Sequence, residues 1–440
     1  MTSARVVTLG CRLNAAESEV MKTWADDQKM DNAIIVNTCA VTNEAERQAR
    51  QTIRRLRREN PDAYIIVTGC AVQLRPKVFA NMPEIDRLLG NDAKADPSNF
   101  KPDIESRVHV RPMAQTVVDQ VPLIHPVAGQ VKAFIQVQNG CNHFCTFCTI
   151  ALARGRSRSV PLRLLIPQVQ NFLDQGVKEI ILTGVDLTSY DDEGMTLGGM
   201  IGGLLDALPD LQRVRLSSLD SMEVDDDLFQ IITEDTRILP HIHLSLQAGS
   251  NTILREMKRR HDREQAIALC HNLKKQRPEL VLGADFITGF PGESEEMFQE
   301  TIDLVHQCAL THLHVFPFSK RPGTPAARMT NQIAPEVIKD RATRLRLVGQ
   351  EVLSQFLTEK IGTIIHVLAE NISRGHSDDF TDVHFSEPAA PWQMVRARVI
   401  GVKGTGVVAH PLQGGGLRLD ANTVPLGCLD ACVGWDDGWP

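Results

Sequence analysis

Short apolar runs alternate with amphipathic stretches along most of the chain, and their spacing predicts two α/β units followed by a β unit. Residues 6–9, 33–36 and 64–68 are compact apolar runs that end at Gly10-Cys11, Asn37-Thr38-Cys39 and Gly69-Cys70. Helical patterns near residues 17–24 and 44–59 lie between them. Strands joined by helical crossovers predict a small parallel sheet carrying helices, over residues 1–95. Residues 96–131 break the pattern with Pro97, Pro102, Pro112, Pro122 and Pro126 and read as a linker. Six further strand candidates follow at 133–137, 179–182, 214–217, 242–246, 281–286 and 313–316, separated by amphipathic segments such as 164–175 and 295–307. Six βα units over residues 132–334 predict a partial or full parallel barrel, with functional residues at the C-terminal ends of its strands. A charged connecting helix at 335–360 leads to alternating runs in 361–412, such as 364–368 and 395–402, which predict a small β-barrel. Residues 413–440 read as a loop-like tail.

Composition narrows the class. The 440 residues are 42% hydrophobic and 23% charged, an ordinary globular balance, and no apolar run approaches the length needed to span a bilayer. The N-terminus lacks the charged and apolar regions of a signal peptide, so a cytoplasmic protein without membrane contact is expected. In that setting ten cysteines argue for metal or redox chemistry rather than a disulfide framework. The formal charge of −7 is no fingerprint of a nucleic-acid binder, although a local basic patch can hide within it.

Cys141, Cys145 and Cys148 form a C-x3-C-x2-C loop directly after the first barrel strand. Three thiolates on one short loop can hold three corners of a cubic four-iron cluster and leave the fourth iron open to a chelating small molecule. A structural zinc site, with His143 as fourth ligand, is the alternative. The position after a barrel's first strand favours the cluster. Cys11, Cys39 and Cys70 each sit just past a strand of one parallel sheet, where ligands converge in open α/β folds. They can therefore form one site, or be three buried structural cysteines. Cys270 and Cys308 fall in helical patterns and read as core residues, and Cys428 and Cys432 in the tail have no assigned role.

Further segments complete a recognisable set: Gly10-Cys11-Arg12-Leu13-Asn14, Asn37-Thr38-Cys39-Ala40-Val41-Thr42, Thr68-Gly69-Cys70, the Cys141 loop, Arg154-Gly155-Arg156-Ser157-Arg158-Ser159, Leu182-Thr183-Gly184-Val185-Asp186, Arg215-Leu216-Ser217-Ser218, His243-Leu244-Ser245-Leu246-Gln247, Gly283-Ala284-Asp285-Phe286 through Pro291-Gly292-Glu293, and Phe316-Pro317-Phe318-Ser319. On these the chain resembles the radical S-adenosylmethionine methylthiotransferases over residues 6–412, most closely the branch acting on threonylcarbamoyladenosine in tRNA. The resemblance implies a central radical-SAM partial (βα)6 barrel and a C-terminal TRAM-like barrel that binds RNA. It also implies two 4Fe-4S clusters, one on Cys141, Cys145 and Cys148 and an auxiliary one on Cys11, Cys39 and Cys70, and S-adenosyl-L-methionine used as both methyl donor and radical source. The implied reaction inserts a methylthio group at C2 of N6-threonylcarbamoyladenosine at position 37 of tRNA. It calls for an external electron donor and an unknown sulfur donor.

Thr183, Gly184, Asp186, Ser217, Ser218, Ser245, Gln247, Arg259, Arg260 and Asp285 are the candidate contacts to S-adenosylmethionine. Arg259 or Arg260 would pair with its carboxylate, and the Asp285 segment would wrap the adenine. No catalytic residue is assigned beyond the cluster ligands. Arg47, Arg50, Arg54, Arg57 and Arg58 recur at steps of three and four and predict one basic stripe, an RNA contact or a plain solvated face. Arg12 is a candidate to meet a carboxylate on the substrate. The C-terminal piece carries four Lys/Arg against five Asp/Glu, so RNA binding there rests on resemblance.

Two departures stand out. The family's Pro and Gly after the third loop cysteine are replaced by Thr149-Ile150-Ala151-Leu152-Ala153, and Ala15-Ala16 stand where an aromatic often precedes Glu17-Ser18. Rival readings are the relative acting on N6-isopentenyladenosine in tRNA, another modifying a ribosomal aspartate, and a non-catalytic iron–sulfur RNA-binding or electron-carrier protein.

Overall fold

A computed structural model describes residues 3–101, 106–113 and 131–412. Cys428 and Cys432 lie outside the described residues.

The N-terminal unit is a five-stranded parallel sheet in sequence order, β1 (Arg5–Thr8), β2 (Ala33–Thr38), β3 (Tyr64–Gly69), β4 (Arg87–Leu89) and β5 (Val108–His109). Its central strands are buried on both faces, which is why 33–38 and 64–69 read as continuous apolar runs. Helices α1 (Arg12–Asp27), α2 (Asn43–Glu59), α3 (Cys70–Leu74) and α4 (Pro76–Ala80) connect them. The sheet runs beyond residue 95. Strand β5 and a 3-10 turn at Pro97–Phe100 occupy part of the stretch expected to be linker, and Phe100 is fully buried against Trp24. Strands of two and three residues carry too little periodicity to be seen in sequence.

The central unit has six parallel strands: β6 (Lys132–Gln136), β9 (Glu179–Thr183), β10 (Val214–Leu216), β11 (His241–Gln247), β12 (Val281–Thr288) and β13 (Leu310–Pro317). They form two three-stranded sheets, joined by bridges from Val214 to Ile238 and from Leu219 to Leu244 into the expected partial barrel. A two-residue hairpin, β7 (Gln138–Asn139) with β8 (Arg158–Ser159), brackets the cysteine loop. Helices α5 (Ile150–Arg154), α6 (Leu162–Asp174), α7 (Leu197–Ala207), α8 (Asp226–Glu234), α9 (Asn251–Glu256), α10 (Arg263–Gln276) and α11 (Glu295–Gln307) follow the strands. Alternate strand residues such as Ile242, Leu244, Leu246, Leu282 and Ala284 bury outward against these helices. Cys270 and Cys308 lie in the same core, as expected.

Helix α12 (Pro335–Glu359) packs on β13 and leads to a closed five-stranded barrel of β14 (Ile364–Ala369), β15 (Arg374–Ser377), β16 (Asp382–Phe385), β17 (Met394–Lys403) and β18 (Gly406–Pro411). Its 377–381 loop enters the central unit. The Phe380 ring stacks on His241 at 5.0 Å and lies under the guanidinium groups of Arg12 and Arg215, each at 5.0 Å. Ion pairs Arg213–Asp378 and Lys132–Glu370 flank it.

Candidate functional site: two cysteine groups and a polar barrel interior

Cys11, Cys39 and Cys70 leave the C-terminal ends of three neighbouring strands, β1, β2 and β3. The strand ends are held by a buried polar network. The Asn14 amide donates to the Leu9 carbonyl at 2.7 Å and the Thr38 carbonyl at 3.2 Å, while Asn37 donates to the Asn14 carbonyl at 3.0 Å. Gly10 has φ +102°, and a Cβ there would stand 2.8 Å from the Cys39 sulfur. Only glycine fits between β1 and that thiol. Burial pushes the Cys39 thiol up to about 12, with Cys11 and Cys70 adding to the shift, so the three sulfurs share one site.

Beside them stands Arg154, 1% exposed, from α5. It donates to Asn14 Oδ1 at 2.6 Å and to Glu17 Oε1 at 2.8 Å, and Lys94 reaches Glu17 Oε2 at 2.6 Å. The Asn91 amide lies 3.8 Å from the Cys70 sulfur and donates to the Ala153 carbonyl at 2.7 Å. Two buried cations against one carboxylate leave positive charge next to three thiols. Thiolates bound to a metal cluster would balance it, so the donor set and its surroundings fit an iron–sulfur group. The segment expected to alter the exit from the cysteine loop is helix α5, and it delivers Arg154 to the other cysteine group. Ala16, at the second departure, is buried against the barrel core, where an aromatic ring would push α1 away.

The second group sits at the C-terminal ends of the barrel strands. Cys141, Cys145 and Cys148 occupy the loop between β7 and α5, and burial pushes the Cys148 thiol up to about 12 with Cys145 contributing. Gln138 ties this loop to the end of β9. Its amide donates to the Gly140 carbonyl at 2.8 Å and its carbonyl accepts from the backbone of Val185 and Asp186, each at 3.0 Å. Gly184 is needed for this clamp, since a Cβ there would stand 3.0 Å from Gln138 Oε1. Thr183 is buried inside its strand.

Around the loop stand His143, Asp186, Asp220, Glu223, Arg259 and Arg260. Cys141 Sγ lies 3.3 Å from Asp186 Oδ2, and His143 Nε2 lies 3.1 Å from Asp186 and 3.2 Å from Glu223. His143 thus stands among three carboxylates, and its ring lies close enough to Cys141 and Asp186 for the three to share a metal ion. Arg259 donates to Asp220 and to the Ser245 carbonyl, both at 2.7 Å, and lies 3.7 Å from Cys145 Sγ. Arg260 pairs with Glu223 at 2.5 Å and contacts His143. Ser217 donates its backbone N–H to the Leu182 carbonyl at 3.1 Å, and its buried hydroxyl has no partner among the described residues. Ser218 follows it half-buried. Gln247 ends β11 with φ +72°. Asp220 and Glu223 were not legible in sequence; their only signal is position just past a barrel strand.

Asp285 sits between two histidines. Its Oδ1 accepts from His243 Nε2 at 2.9 Å and His314 Nδ1 at 3.1 Å, across β11, β12 and β13. Burial works to raise its pKa, yet the two imidazoles hold it well below the usual carboxylate range. The α2 arginines meet neighbouring groups, while Arg47 and Arg54 stay more than half exposed. Arg47 pairs with Glu44, Arg50 lies 3.9 Å from Glu46, Arg54 lies 3.7 Å from Glu84, and Arg57 binds the Pro61, Ala63 and Glu84 carbonyls. Arg58 is exposed on the same helix.

A parallel six-strand array with three cysteines on the loop after its first strand defines a radical S-adenosylmethionine protein, and the Radical SAM superfamily pattern matches residues 135–305. A second pattern, described as Uncharacterized protein family UPF0004, matches residues 3–90. The threonylcarbamoyladenosine tRNA methylthiotransferase MtaB of Rickettsia prowazekii (strain Madrid E) is 43% identical over 401 residues, covering 90% of this chain and 95% of that one. The chain belongs to this MtaB family. The tRNA-2-methylthio-N(6)-dimethylallyladenosine synthase of Ehrlichia chaffeensis (strain ATCC CRL-10679 / Arkansas) is 31% identical over 84% of this chain and 88% of that one. Among solved structures, the radical S-adenosylmethionine methyltransferase TsrM from Kitasatospora setae superposes with a TM-score of 0.53 at 15% identity, covering 74% of this chain and 77% of that one, and shares the fold. The protein is an enzyme of the radical class, which works with a 4Fe-4S cluster and S-adenosylmethionine.

Proposed function

We propose that the protein inserts a methylthio group at C2 of N6-threonylcarbamoyladenosine at position 37 of tRNA. One observation carries this beyond the radical class: a second three-cysteine group, Cys11, Cys39 and Cys70, is locked through Arg154 to the helix that leaves the first. The two domains so joined would be the N-terminal methylthiotransferase domain and the radical SAM domain, with the C-terminal barrel as RNA-binding domain.

In this reading Cys141, Cys145 and Cys148 hold the radical-SAM cluster and Cys11, Cys39 and Cys70 hold the auxiliary one. With S-adenosylmethionine bound, the first supplies one-electron cleavage of the sulfonium, and the second offers the sulfur. The chain's own part is positioning. Ser217, Ser218, Asp186 and Glu223, near the C-terminal ends of the second and third barrel strands, would offer oxygens to the ammonium and ribose of S-adenosylmethionine. Arg260, more exposed than Arg259, is the guanidinium that would meet its carboxylate by exchanging its pairing with Glu223, whereas Arg259 is buried against Asp220 and Ser245. Gln138 fixes the loop, and Arg154 neutralises the thiolates of the auxiliary group. An external electron donor and a sulfur donor complete the reaction.

Deleting the gene and measuring tRNA nucleosides by mass spectrometry tests the substrate. Loss of the methylthio form of threonylcarbamoyladenosine is expected. Its persistence, with loss of the isopentenyl analogue instead, would refute the assignment.

A further inference from the structure

An open cleft of about 590 Å³ lies between the end of β13 and the start of α12, the size of a small-molecule site. Its helical wall is Pro335, Ile338, Lys339, Ala342 and Arg346, which share one face of α12. Pro317, Phe318 and Lys320 line it from the strand side, and Gln332 and Ile333 complete it. Gln332 gives its amide to the Ala326 and Met329 carbonyls, each at 2.9 Å, which fixes that part of the wall.

The lining pairs an apolar floor with positive charge and contains no carboxylate. Phe318 is buried, and Ile333 and Ile338 are half-buried beside it. Lys320 and Lys339 are exposed and make no ion pair among the described residues. Arg346 adds a third cation and gives one N–H to the Val315 carbonyl at 3.0 Å. Glu336 and Asp340, the acids of the same helical turns, lie off this face, and Asp340 is 3.4 Å from Arg344.

Its position ties the cleft to both cysteine groups. Pro317 ends β13, so the cleft opens at the C-terminal end of the barrel strands, the end that carries the Cys141 loop. Phe318 belongs to one packed cluster with Phe147 of that loop. The segment around Lys320 is pinned to the N-terminal unit by Asn43, four residues after Cys39. Asn43 donates its amide to the Lys320 carbonyl at 3.1 Å and its backbone N–H to Ser319 Oγ at 3.2 Å. Arg321 donates to Asn43 at 2.6 Å and pairs with Glu46.

A net charge of −7 gives the chain no general attraction for a polyanion, so contacts to RNA phosphates must be local. Cations beside an apolar surface are what a single-stranded nucleotide takes, the first for its phosphate and the second for its base. We propose that this cleft docks one nucleotide of the tRNA anticodon loop, with Lys320 and Lys339 on phosphate and Phe318, Ile333 and Ile338 against the base. This rests on the tRNA substrate given under Proposed function.

The test is fluorescence anisotropy of an anticodon stem-loop RNA carrying threonylcarbamoyladenosine, titrated with reconstituted full-length protein over a salt series. Lys320→Gln with Lys339→Gln should weaken binding about tenfold and make the slope of log K against log salt shallower by about 1 to 2, the mark of two lost phosphate contacts. Lys320→Arg with Lys339→Arg should keep both affinity and slope. Iron content and thermal unfolding check that each variant keeps its fold. Unchanged affinity and slope in the glutamine variant would overturn the proposal, as would weaker binding at the wild-type slope. So would unchanged RNA binding with slower reduction of the clusters by an acidic electron-carrier protein, which would assign the cleft to that protein. Wild type that binds the stem-loop and never methylthiolates it would sink the functional reading, while the salt slopes still decide the cleft.

Discussion

Glu179 shows how much a single side chain holds at the base of the barrel. It is 1% exposed, accepts from Arg215 at 2.8 Å and Arg213 at 2.9 Å, and anchors the end of the barrel that Phe380 enters. Burial tends to raise its pKa, but Arg215, Lys132 and Arg213 outweigh this and hold it at about 2. A carboxyl depressed in the fold contributes stability that is fully present above its unfolded pKa of about 4.3 and is lost as pH falls toward 2. Glu179→Gln should cost about 3 kcal/mol at pH 7, because it leaves buried guanidinium charge without its anion. Urea unfolding between pH 7 and pH 2.5 should show that cost shrinking below about pH 4.3, where the unfolded chain takes up a proton that the native carboxylate resists. A constant difference across the range would contradict the pairing. The sequence offered Arg215 within a motif but no sign of Glu179 as its partner, because partners on neighbouring strands are separated by a whole βα unit.

At the scale of elements, the regular pieces were legible and the sites between them only in part. The helix at 295–307 and the strands at 33–38 and 64–69 carry strong periodic or continuous apolar patterns, and they form close to where the pattern puts them. Strand β5 and helix α5 do not, being two and five residues long. The six cysteines were legible because strand-then-cysteine and C-x3-C-x2-C are local signals. Arg154, Glu17, Asn91 and Lys94 were not, since their meeting depends on how α5 docks against α1. The turns that deliver the cysteines are equally specific. Gly10 and Gly69, at φ +102° and +101°, end β1 and β3, and a Cβ on Gly69 would stand 2.3 Å from the Thr38 carbonyl. Gly10→Ala should displace Cys39 and drop the iron bound by the N-terminal group while leaving S-adenosylmethionine cleavage at the Cys141 loop. Iron analysis beside 5′-deoxyadenosine formation reads both, and full iron content in the variant would show that the close approach is immaterial.

Across the whole molecule, three units meet around the central barrel. The N-terminal sheet brings three cysteines and Arg12, the central barrel brings the Cys141 loop at its C-terminal strand ends, and the C-terminal barrel inserts Phe380 at the other end, against His241 and the Arg12 guanidinium. Arg154 ties α5, which leaves the Cys141 loop, to α1, which follows Cys11, through hydrogen bonds to Glu17 and Asn14, although 130 residues separate Cys11 from Cys141. The central claim is that both groups hold clusters and that only one makes the radical. Iron and acid-labile sulfide content, with electron paramagnetic resonance and product analysis, should be compared in anaerobically reconstituted wild type and the Cys11→Ala, Cys39→Ala, Cys70→Ala variant. About eight irons per chain should fall to about four, with 5′-deoxyadenosine still formed and no methylthio product made. A wild type holding about four irons, or a triple variant that still methylthiolates tRNA, would contradict it.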